Sequence, residues 1–154
     1  MDLKTTFLHG GLEEEIYINQ PELFAVKGKK ELVCKFKKSL YGLKQSPRMW
    51  YHKFDTYIWG LGFTRRKLNQ CVYLKLIGDR VIYLVLYVDD MLLIGNDKEI
   101  IQDLKTQLSS KLDMKDLGAA NYILGMEIKR DQEKRKIWLN QRKYVKIILQ
   151  RFNM

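Results

Sequence analysis

The stretch from residue 81 to residue 95 reads Val81-Ile82-Tyr83-Leu84-Val85-Leu86-Tyr87-Val88-Asp89-Asp90-Met91-Leu92-Leu93-Ile94-Gly95. Two apolar runs flank a pair of adjacent aspartates. The first run is rich in β-branched and aromatic residues and contains no Gly or Pro, which is typical of a buried strand. The second run is a shorter strand, and only a tight turn fits between the two. The stretch therefore predicts a hairpin that enters the core and carries two carboxylates at its tip.

The two carboxylates favour a particular chemistry. Charges beside a core are costly unless they are paired or bound to a metal ion. Adjacent carboxylates repel one another, and a divalent cation reverses that cost. Their hard oxygen atoms suit Mg²⁺, which commonly binds one or two carboxylates together with substrate phosphates. The alternative is a solvated turn, because Asp is a common turn residue.

Composition predicts one globular domain. The chain has 154 residues, of which 46% are hydrophobic and 30% charged, and no apolar run approaches the roughly 18 residues of a membrane span. The first residues show no signal-peptide pattern, so we expect an intracellular protein without a membrane partner. Cys34 and Cys71 are predicted to be reduced core residues, since they lack metal-ligand spacing. His9 and His52 have no partner at zinc-ligand spacing either.

Positive charge is concentrated in one block. The net charge is +10, and residues 27 to 67 contain twelve lysine and arginine residues against two acidic ones, while the rest of the chain balances. Aromatic residues are interleaved with this basic block. Such a patch suits a phosphate backbone. The alternative is a solvated, lysine-rich face.

The order of elements predicts an α+β fold, an antiparallel sheet with helices on one face. Ser46-Pro47 predicts a helix start, with Ser as the N-cap, and Asn96 or Asp97 predicts another. The expected strands are 16–18, 32–36, 71–77, 81–86, 91–94, 122–128 and 136–139, and the expected helices follow Ser46, Asp97 and about Gln141 with apolar residues at helical spacing.

With these pieces placed, the chain resembles the reverse transcriptase of Ty1/copia-type retrotransposons from end to end. Several spaced blocks in the right order carry this resemblance. They are Asp2-Leu3-Lys4-Thr5-Thr6-Phe7-Leu8-His9-Gly10, Leu12-Glu13-Glu14-Glu15-Ile16-Tyr17 with Gln20-Pro21, Lys38-Ser39-Leu40-Tyr41-Gly42-Leu43-Lys44-Gln45-Ser46-Pro47-Arg48 with Trp50-Tyr51, Tyr87-Val88-Asp89-Asp90, Asp116-Leu117-Gly118 with Tyr122-Ile123-Leu124-Gly125-Met126-Glu127-Ile128, and Gln141 with Lys143-Tyr144-Val145.

The resemblance implies a polymerase palm, an antiparallel sheet backed by helices with three acids on adjoining strands. It implies RNA-directed DNA synthesis that uses Mg²⁺ or Mn²⁺, an RNA or DNA template with a primer, and deoxynucleoside triphosphates. Two metal ions roughly 4 Å apart are the usual means of such transfer. By this analogy Asp2 and Asp89 hold the metals, and Asp90 tunes the charge or is a weaker ligand.

The resemblance also assigns roles around the acids. Phe7 matches the aromatic position that stacks under the sugar and excludes a 2′-hydroxyl, although a Phe in isolation is more often a core residue. Gln45 would line the pocket for the incoming nucleotide, and Tyr87 and Val88 would lie near the primer end. Trp50 and Phe54 are interpreted as helix core. The expected nucleic-acid contacts, with a solvated face as the alternative, are Lys37, Lys38, Lys44 and Arg48.

The sequence departs from the family pattern in a few places. Thr6 stands where the family usually has Ala, and Gly11 where it often has Asp. We interpret residues 1–154 as a partial reverse transcriptase domain, starting at the first catalytic block and lacking the fingers and most of the thumb. Because chain ends fray, we expect Asp2 to be poorly held and the isolated chain to be weak or inactive. A non-catalytic, nucleic-acid-binding remnant of a decayed element is the alternative. By family, the location is a cytoplasmic particle or the nucleus.

Overall fold

The computed structural model describes residues 1–29 and 31–153, so Lys30 of the basic block lies outside the described residues. The chain forms two compact units, Met1–Asp116 and Leu117–Met154. Within the described residues the elements are three α-helices and antiparallel strands. The predicted α+β class is therefore confirmed.

The first unit is built on a six-stranded antiparallel sheet. Its strands are β1 (Asp2–Leu3), β4 (Thr64–Arg65), β5 (Val72–Ile77), β6 (Arg80–Tyr87), β7 (Asp90–Gly95) and β8 (Met114–Lys115), in the spatial order β4-β5-β6-β7-β1-β8. The first strand of the chain thus lies inside the sheet, between β7 and β8, and not at its edge. A separate two-stranded ribbon pairs β2 (Tyr17–Asn19) with β3 (Val33–Lys35).

The predicted central hairpin is confirmed. β6 and β7 pair from Ile82 opposite Gly95 to Tyr87 opposite Asp90, which leaves a two-residue loop of Val88 and Asp89. Side chains alternate along β6, so that Ile82, Leu84 and Leu86 are buried on one face. That period of two residues is what a half-buried strand requires.

Two helices cover that buried face. Helix α1 (Ser46–Gly60) buries Trp50, Phe54 and Ile58, and α2 (Lys98–Lys111) buries Leu104 and Leu108. These side chains pack with Leu3, Phe63, Tyr73, Ile82, Leu84, Leu86, Met91 and Leu112 in one core. The interpretation of Trp50 and Phe54 as core residues is therefore confirmed.

A partly buried polar contact fixes α1 on the sheet. The Tyr73 hydroxyl donates to Asp55 Oδ1 at 2.9 Å. Burial, together with this hydrogen bond, raises the pKa of Tyr73. The hydroxyl therefore stays protonated, and it donates to a carboxylate that Arg65 also approaches, at 3.4 Å.

The predicted N-cap residue is wrong for α1 and correct for α2. Ser46 is the first residue of α1 and not its cap, because its hydroxyl donates to the Leu40 carbonyl at 2.6 Å instead of accepting from the helix. At α2 the prediction is confirmed. Asp97 caps the helix by accepting hydrogen bonds from the N–H groups of Glu99 and Ile100.

The second unit contains a three-stranded sheet and a helix. Its elements are β9 (Tyr122–Ile123), β10 (Met126–Asp131), β11 (Lys136–Asn140) and α3 (Arg142–Arg151), and the strand order is β11-β10-β9. The predicted single strand 122–128 is wrong, because Leu124 and Gly125 both take positive φ and turn the chain back on itself. A positive φ is uncommon for Leu, which is why the apolar pattern did not reveal this turn.

Both cysteines are free, as predicted, but Cys71 is exposed and Cys34 half-buried. The core assignment for these two residues is therefore wrong. Cys71 precedes β5 instead of lying within it, so it is outside the alternating pattern that buries Tyr73. No helix within residues 1–29 and 31–153 has the length and apolar content needed to cross a membrane.

The cap of α2 gives a test of the fold. The Ile100 N–H, and then the Glu99 N–H and Arg80, lower the pKa of Asp97 against an opposing effect of desolvation. Because the folded-state pKa is below the unfolded value, this stabilisation is present above the ordinary aspartate pKa and is lost as pH falls through the lowered one. Asp97→Ala should therefore lower the melting temperature at neutral pH, by a margin that shrinks in acid.

The matched control is Asp97→Asn, which keeps a capping oxygen but does not titrate. Because it caps without the charge, it should melt between the wild type and Asp97→Ala at neutral pH, by a margin over Asp97→Ala that does not depend on pH. Melting followed by circular dichroism at about pH 7 and about pH 2 makes the comparison. If Asp97→Ala lowered the melting temperature by the same amount at both pH values, this explanation of the cap would be contradicted.

Candidate active site

The structure places Asp2 and Asp90 directly opposite one another on neighbouring strands. The Leu3 N–H donates to the Asp89 carbonyl at 3.0 Å, and the Met91 N–H donates to the Met1 carbonyl at 2.9 Å. These bonds flank the Asp2–Asp90 pair and do not join the pair itself. In antiparallel sheets that arrangement brings the facing Cα atoms to about 4.5 Å and the side chains closest together. The two carboxylates therefore share one face of the sheet as immediate neighbours.

The same register extends across four strands. Tyr87 faces Asp90, Asp90 faces Asp2, and Asp2 faces Lys115. Their neighbours Leu86, Met91 and Leu3 are buried on the core side, so this row lies on the other face of the sheet. Asp2 and Asp90 are half-buried, whereas Tyr87 and Lys115 are exposed. A lysine directly across from Asp2 supplies positive charge beside the carboxylate pair, and sequence reasoning missed it.

Asp89 lies in the two-residue loop at the tip of the hairpin and is exposed. The residue before it, Val88, has φ 56°, while Asp89 is not among the residues with positive φ. This φ pattern is that of a type II′ turn, which favours Gly at the first position. For a β-branched residue the left-handed region is an outlier, and such strain concentrates at functional sites.

The expectation that Asp2 is poorly held is wrong in this structure. β1 has two residues, but it pairs with β7 on one side and β8 on the other. The Lys4 N–H continues the pairing to the Asp113 carbonyl at 3.0 Å, and Leu3 is 3% exposed. Partners on both sides and a buried neighbour hold the Asp2 backbone in place.

Phe7 lies in a 3₁₀ helix, Thr6–His9, directly after β1. It is half-buried against the edge of the core, and its ring contacts the Tyr41 ring in a tilted arrangement, with a centroid separation of 4.7 Å and an interplanar angle of 57°. Tyr41 itself is 58% exposed. The two rings therefore form an aromatic wall that is partly open to solvent. Tyr41 lies in the block that runs from Lys38 to Arg48, and nothing in the sequence indicated that it contacts Phe7.

Gln45 is half-buried at the residue before α1, and its carbonyl accepts a hydrogen bond from the Met49 N–H at 2.9 Å. The structure thus places it at the start of α1 without testing its predicted nucleotide contact. Lys44 and Arg48, on either side of the helix start, are exposed.

A hydrogen bond between two buried serines brings the four predicted nucleic-acid-binding residues into one region. The Ser39 hydroxyl donates to Ser46 Oγ at 2.6 Å, and Ser39 and Ser46 are both fully buried. Ser39 follows Lys37 and Lys38, while Ser46 lies between Lys44 and Arg48. The hydrogen bond therefore brings two exposed basic pairs to the same region. The helix dipole adds positive potential at this end of α1.

Within the part of the chain that the structure describes, no three His, Cys, Asp or Glu side chains are grouped so as to hold a metal ion. The neighbouring pair is Asp2 and Asp90, with Asp89 one residue away in the turn. In donor chemistry this set fits Mg²⁺ or Mn²⁺, because both prefer hard oxygen ligands. A site completed by substrate phosphates requires only one or two carboxylates.

Comparison with known proteins decides the family. The family model described as reverse transcriptase (RNA-dependent DNA polymerase) matches residues 1–154. The chain belongs to this reverse transcriptase family. It is 55% identical over its whole length to the retrovirus-related Pol polyprotein from transposon TNT 1-94 of Nicotiana tabacum, and 36% identical to that from transposon RE1 of Arabidopsis thaliana. The resemblance to copia-type elements is therefore confirmed.

A yeast relative shows the same relationship. The putative transposon Ty5-1 protein of Saccharomyces cerevisiae is 33% identical over 83% of this chain and 42% of its own length. The chain spans 12% and 10% of the two plant polyproteins. No solved structure matches this reverse transcriptase chain.

The strained turn yields a stability prediction. Val88 is 48% exposed, so its substitution disturbs little packing, whereas Asn tolerates the left-handed conformation better than a β-branched residue. Val88→Asn should therefore raise the free energy of unfolding by about 1 kcal/mol, measured by urea denaturation.

Val33→Asn is the matched control for that substitution. Val33 has a similar exposure of 53%, but it lies in β3 and does not have positive φ. Asn is disfavoured in strands, so this variant should gain no stability. Equal effects of the two substitutions would show that Val88 is not strained.

Proposed function

We propose that this chain is the palm part of a reverse transcriptase domain that adds deoxynucleotides to a primer 3′-hydroxyl on an RNA template. The observation that carries the proposal is the Asp2–Asp90 pair beside the Asp89 turn. In a member of this family, a carboxylate pair of that kind is a binding site suited to divalent cations. The fingers and most of the thumb would lie outside residues 1–154, which would form a partial domain, and the isolated chain would turn over weakly.

The roles follow from what each side chain can do. Two Mg²⁺ or Mn²⁺ ions bound here would activate the 3′-hydroxyl and neutralise charge on the leaving pyrophosphate. Asp2 and Asp89 would be the principal ligands, with Asp90 as a weaker ligand or as a charge that tunes the site. The sheet register supports at least as large a part for Asp90, because it is the residue directly opposite Asp2.

Nucleotide selection would fall to the aromatic wall. Phe7 lies only a few residues after Asp2, and its contact with Tyr41 restricts the movement of its ring. A ring held in this way can reject a 2′-hydroxyl by its bulk. Gln45 would contact the incoming nucleotide, and exposed Tyr87, beside Asp90, would contact the primer end.

Template binding would fall to the basic residues near the α1 start. Lys37, Lys38, Lys44 and Arg48 are exposed and gathered by the Ser39–Ser46 hydrogen bond. Lysine and arginine on phosphates give affinity without reading sequence. The surroundings would be those of a retrotransposon particle in the cytoplasm, or of the nucleus.

The second candidate function is nucleic-acid binding without catalysis. It is favoured by the same basic cluster, because the structure of that cluster does not involve the aspartates. A remnant of a decayed element could bind template through these four residues and catalyse nothing.

Primer extension separates the two functions. Wild-type chain and the Asp89→Asn, Asp90→Asn double variant would be incubated with an RNA template, a DNA primer and Mg²⁺ or Mn²⁺. We expect slow extension by the wild type and at least about a 100-fold loss in the variant, since displaced catalytic groups cost that much. Template binding should be retained. Binding without any wild-type extension would favour the remnant, and undiminished extension by the variant would exclude this site.

Salt dependence tests the basic cluster. Removing one lysine or arginine that binds a phosphate reduces the slope of log K against log salt by about 1. Two double variants test the cluster: one combines Lys37→Gln with Lys38→Gln, and the other combines Lys44→Gln with Arg48→Gln. Each double variant should reduce the slope by about 2. The matched control is Lys98→Gln, Lys111→Gln on α2, where the slope should stay unchanged. Equal reductions in all three double variants would mean that net charge, and not this cluster, binds the template.

A further inference from the structure

Trp50 makes a contact that its place in the core does not require. Its side chain is 2% exposed and packs on Phe54 with a ring separation of 5.4 Å. In addition, its indole Nε1–H donates to the Val88 carbonyl at 3.3 Å. A phenylalanine would fill most of the same space without making that hydrogen bond.

The acceptor is the carbonyl of the central peptide of the turn. The peptide that joins Val88 to Asp89 has one orientation in type I and type I′ turns and the opposite one in their type II counterparts. Val88 at φ 56° occupies the first central position of a type II′ turn, which favours Gly, so the observed orientation is strained for this β-branched residue. If this peptide flipped, the φ of Val88 would stay positive, but its ψ and the φ of Asp89 would each change by about 180°, which gives a type I′ turn. The Asp89 side chain would then leave the tip in a different direction.

Two hydrogen bonds hold the turn from opposite ends. The Leu3 N–H donates to the Asp89 carbonyl, and the Trp50 indole N–H donates to the Val88 carbonyl. The first belongs to the sheet and would be made with any side chain at residue 3. The second is made by the side chain of residue 50. The identity of that residue therefore decides whether the Val88 carbonyl accepts a hydrogen bond in the strained orientation.

Trp50 also borders the segment that carries Phe7. The His9 ring lies 6.0 Å from the indole, and a Cβ on Gly10 would come within 3.2 Å of the Trp50 backbone nitrogen. A single residue of α1 therefore contacts both the carboxylate turn and the end of the 3₁₀ helix.

We propose that Trp50 is a positioning residue that holds the Val88–Asp89 peptide in its strained orientation and thereby directs Asp89 toward the Asp2–Asp90 pair. This inference rests on the proposed polymerase function for its purpose, but its geometric content is independent of turnover. Trp50 does not contact the substrate in this role.

The test compares Trp50→Phe in two backgrounds, wild type and Val88→Gly. Glycine adopts positive φ at little cost. In the second background the turn therefore does not need the Trp50 hydrogen bond to keep its conformation. Hydrogen exchange at the Leu3 and Met91 amides reports the pairing of β1 with the turn, and the Leu86 amide, bonded to the Cys71 carbonyl at 2.9 Å, reports global stability. Mn²⁺ affinity, measured by electron paramagnetic resonance, reports the carboxylates.

We expect Trp50→Phe to speed exchange at Leu3 and Met91 by about fivefold or more relative to Leu86, as the loss of one hydrogen bond implies. Mn²⁺ affinity should fall several-fold. In the Val88→Gly background both changes should shrink to less than about twofold, because the interaction between the two sites is lost. Equal effects in both backgrounds, or an unchanged exchange ratio, would overturn the proposal.

Phe54→Leu is the control for a weakened core, since Phe54 is fully buried beside Trp50 and makes no hydrogen bond to the turn. It should raise exchange at all three amides alike. If Trp50→Phe fails to fold, the benzothiophene analogue of Trp at residue 50, which replaces only the N–H, gives the same comparison. Primer extension is read separately: an inactive wild type would count against the polymerase function, while the exchange ratios still decide the role of Trp50.

Discussion

The pairing of β1 with β7 is the interaction on which the rest of the candidate site depends. Two backbone hydrogen bonds, from Leu3 to Asp89 and from Met91 to Met1, set the register that puts Asp2 opposite Asp90. A slip of one residue would send every side chain of the strand to the other face of the sheet. Asp2 would then point into the apolar core and Leu3 would face water. The burial of Leu3 therefore also fixes the face of the sheet on which Asp2 lies.

Helix α1 connects the remaining parts of the site to that pair. Its start is tied by Ser46 to the basic segment, and its first turns contact the end of the Phe7 helix and the Val88 carbonyl. Farther along, Asp55 is fixed to the sheet by Tyr73. The residues that are predicted to contact template, nucleotide and metal thus belong to segments that α1 contacts. This arrangement suits a reaction in which placement of groups, more than covalent chemistry by the protein, accounts for the rate.

The hairpin, α1 and α2 were predictable because strong periodic patterns and turn residues identify them. The basic block and the three aspartates were also visible, but not the strand register, which places Asp90 directly opposite Asp2. Tyr41, Lys115 and the Trp50 hydrogen bond depend on contacts between distant segments, which no local pattern encodes. The turn at Leu124 was missed because it requires an uncommon backbone conformation for Leu.

The most direct test of the account is a Mg²⁺ titration of the wild-type chain followed by the amide signals of Leu3 and Met91. If Asp2 and Asp90 form one site, both signals should shift with a single dissociation constant. Asp2→Asn alone and Asp90→Asn alone should each weaken the response at both amides. Independent shifts with different dissociation constants, or a Met91 response that survives Asp2→Asn unchanged, would contradict a shared carboxylate site.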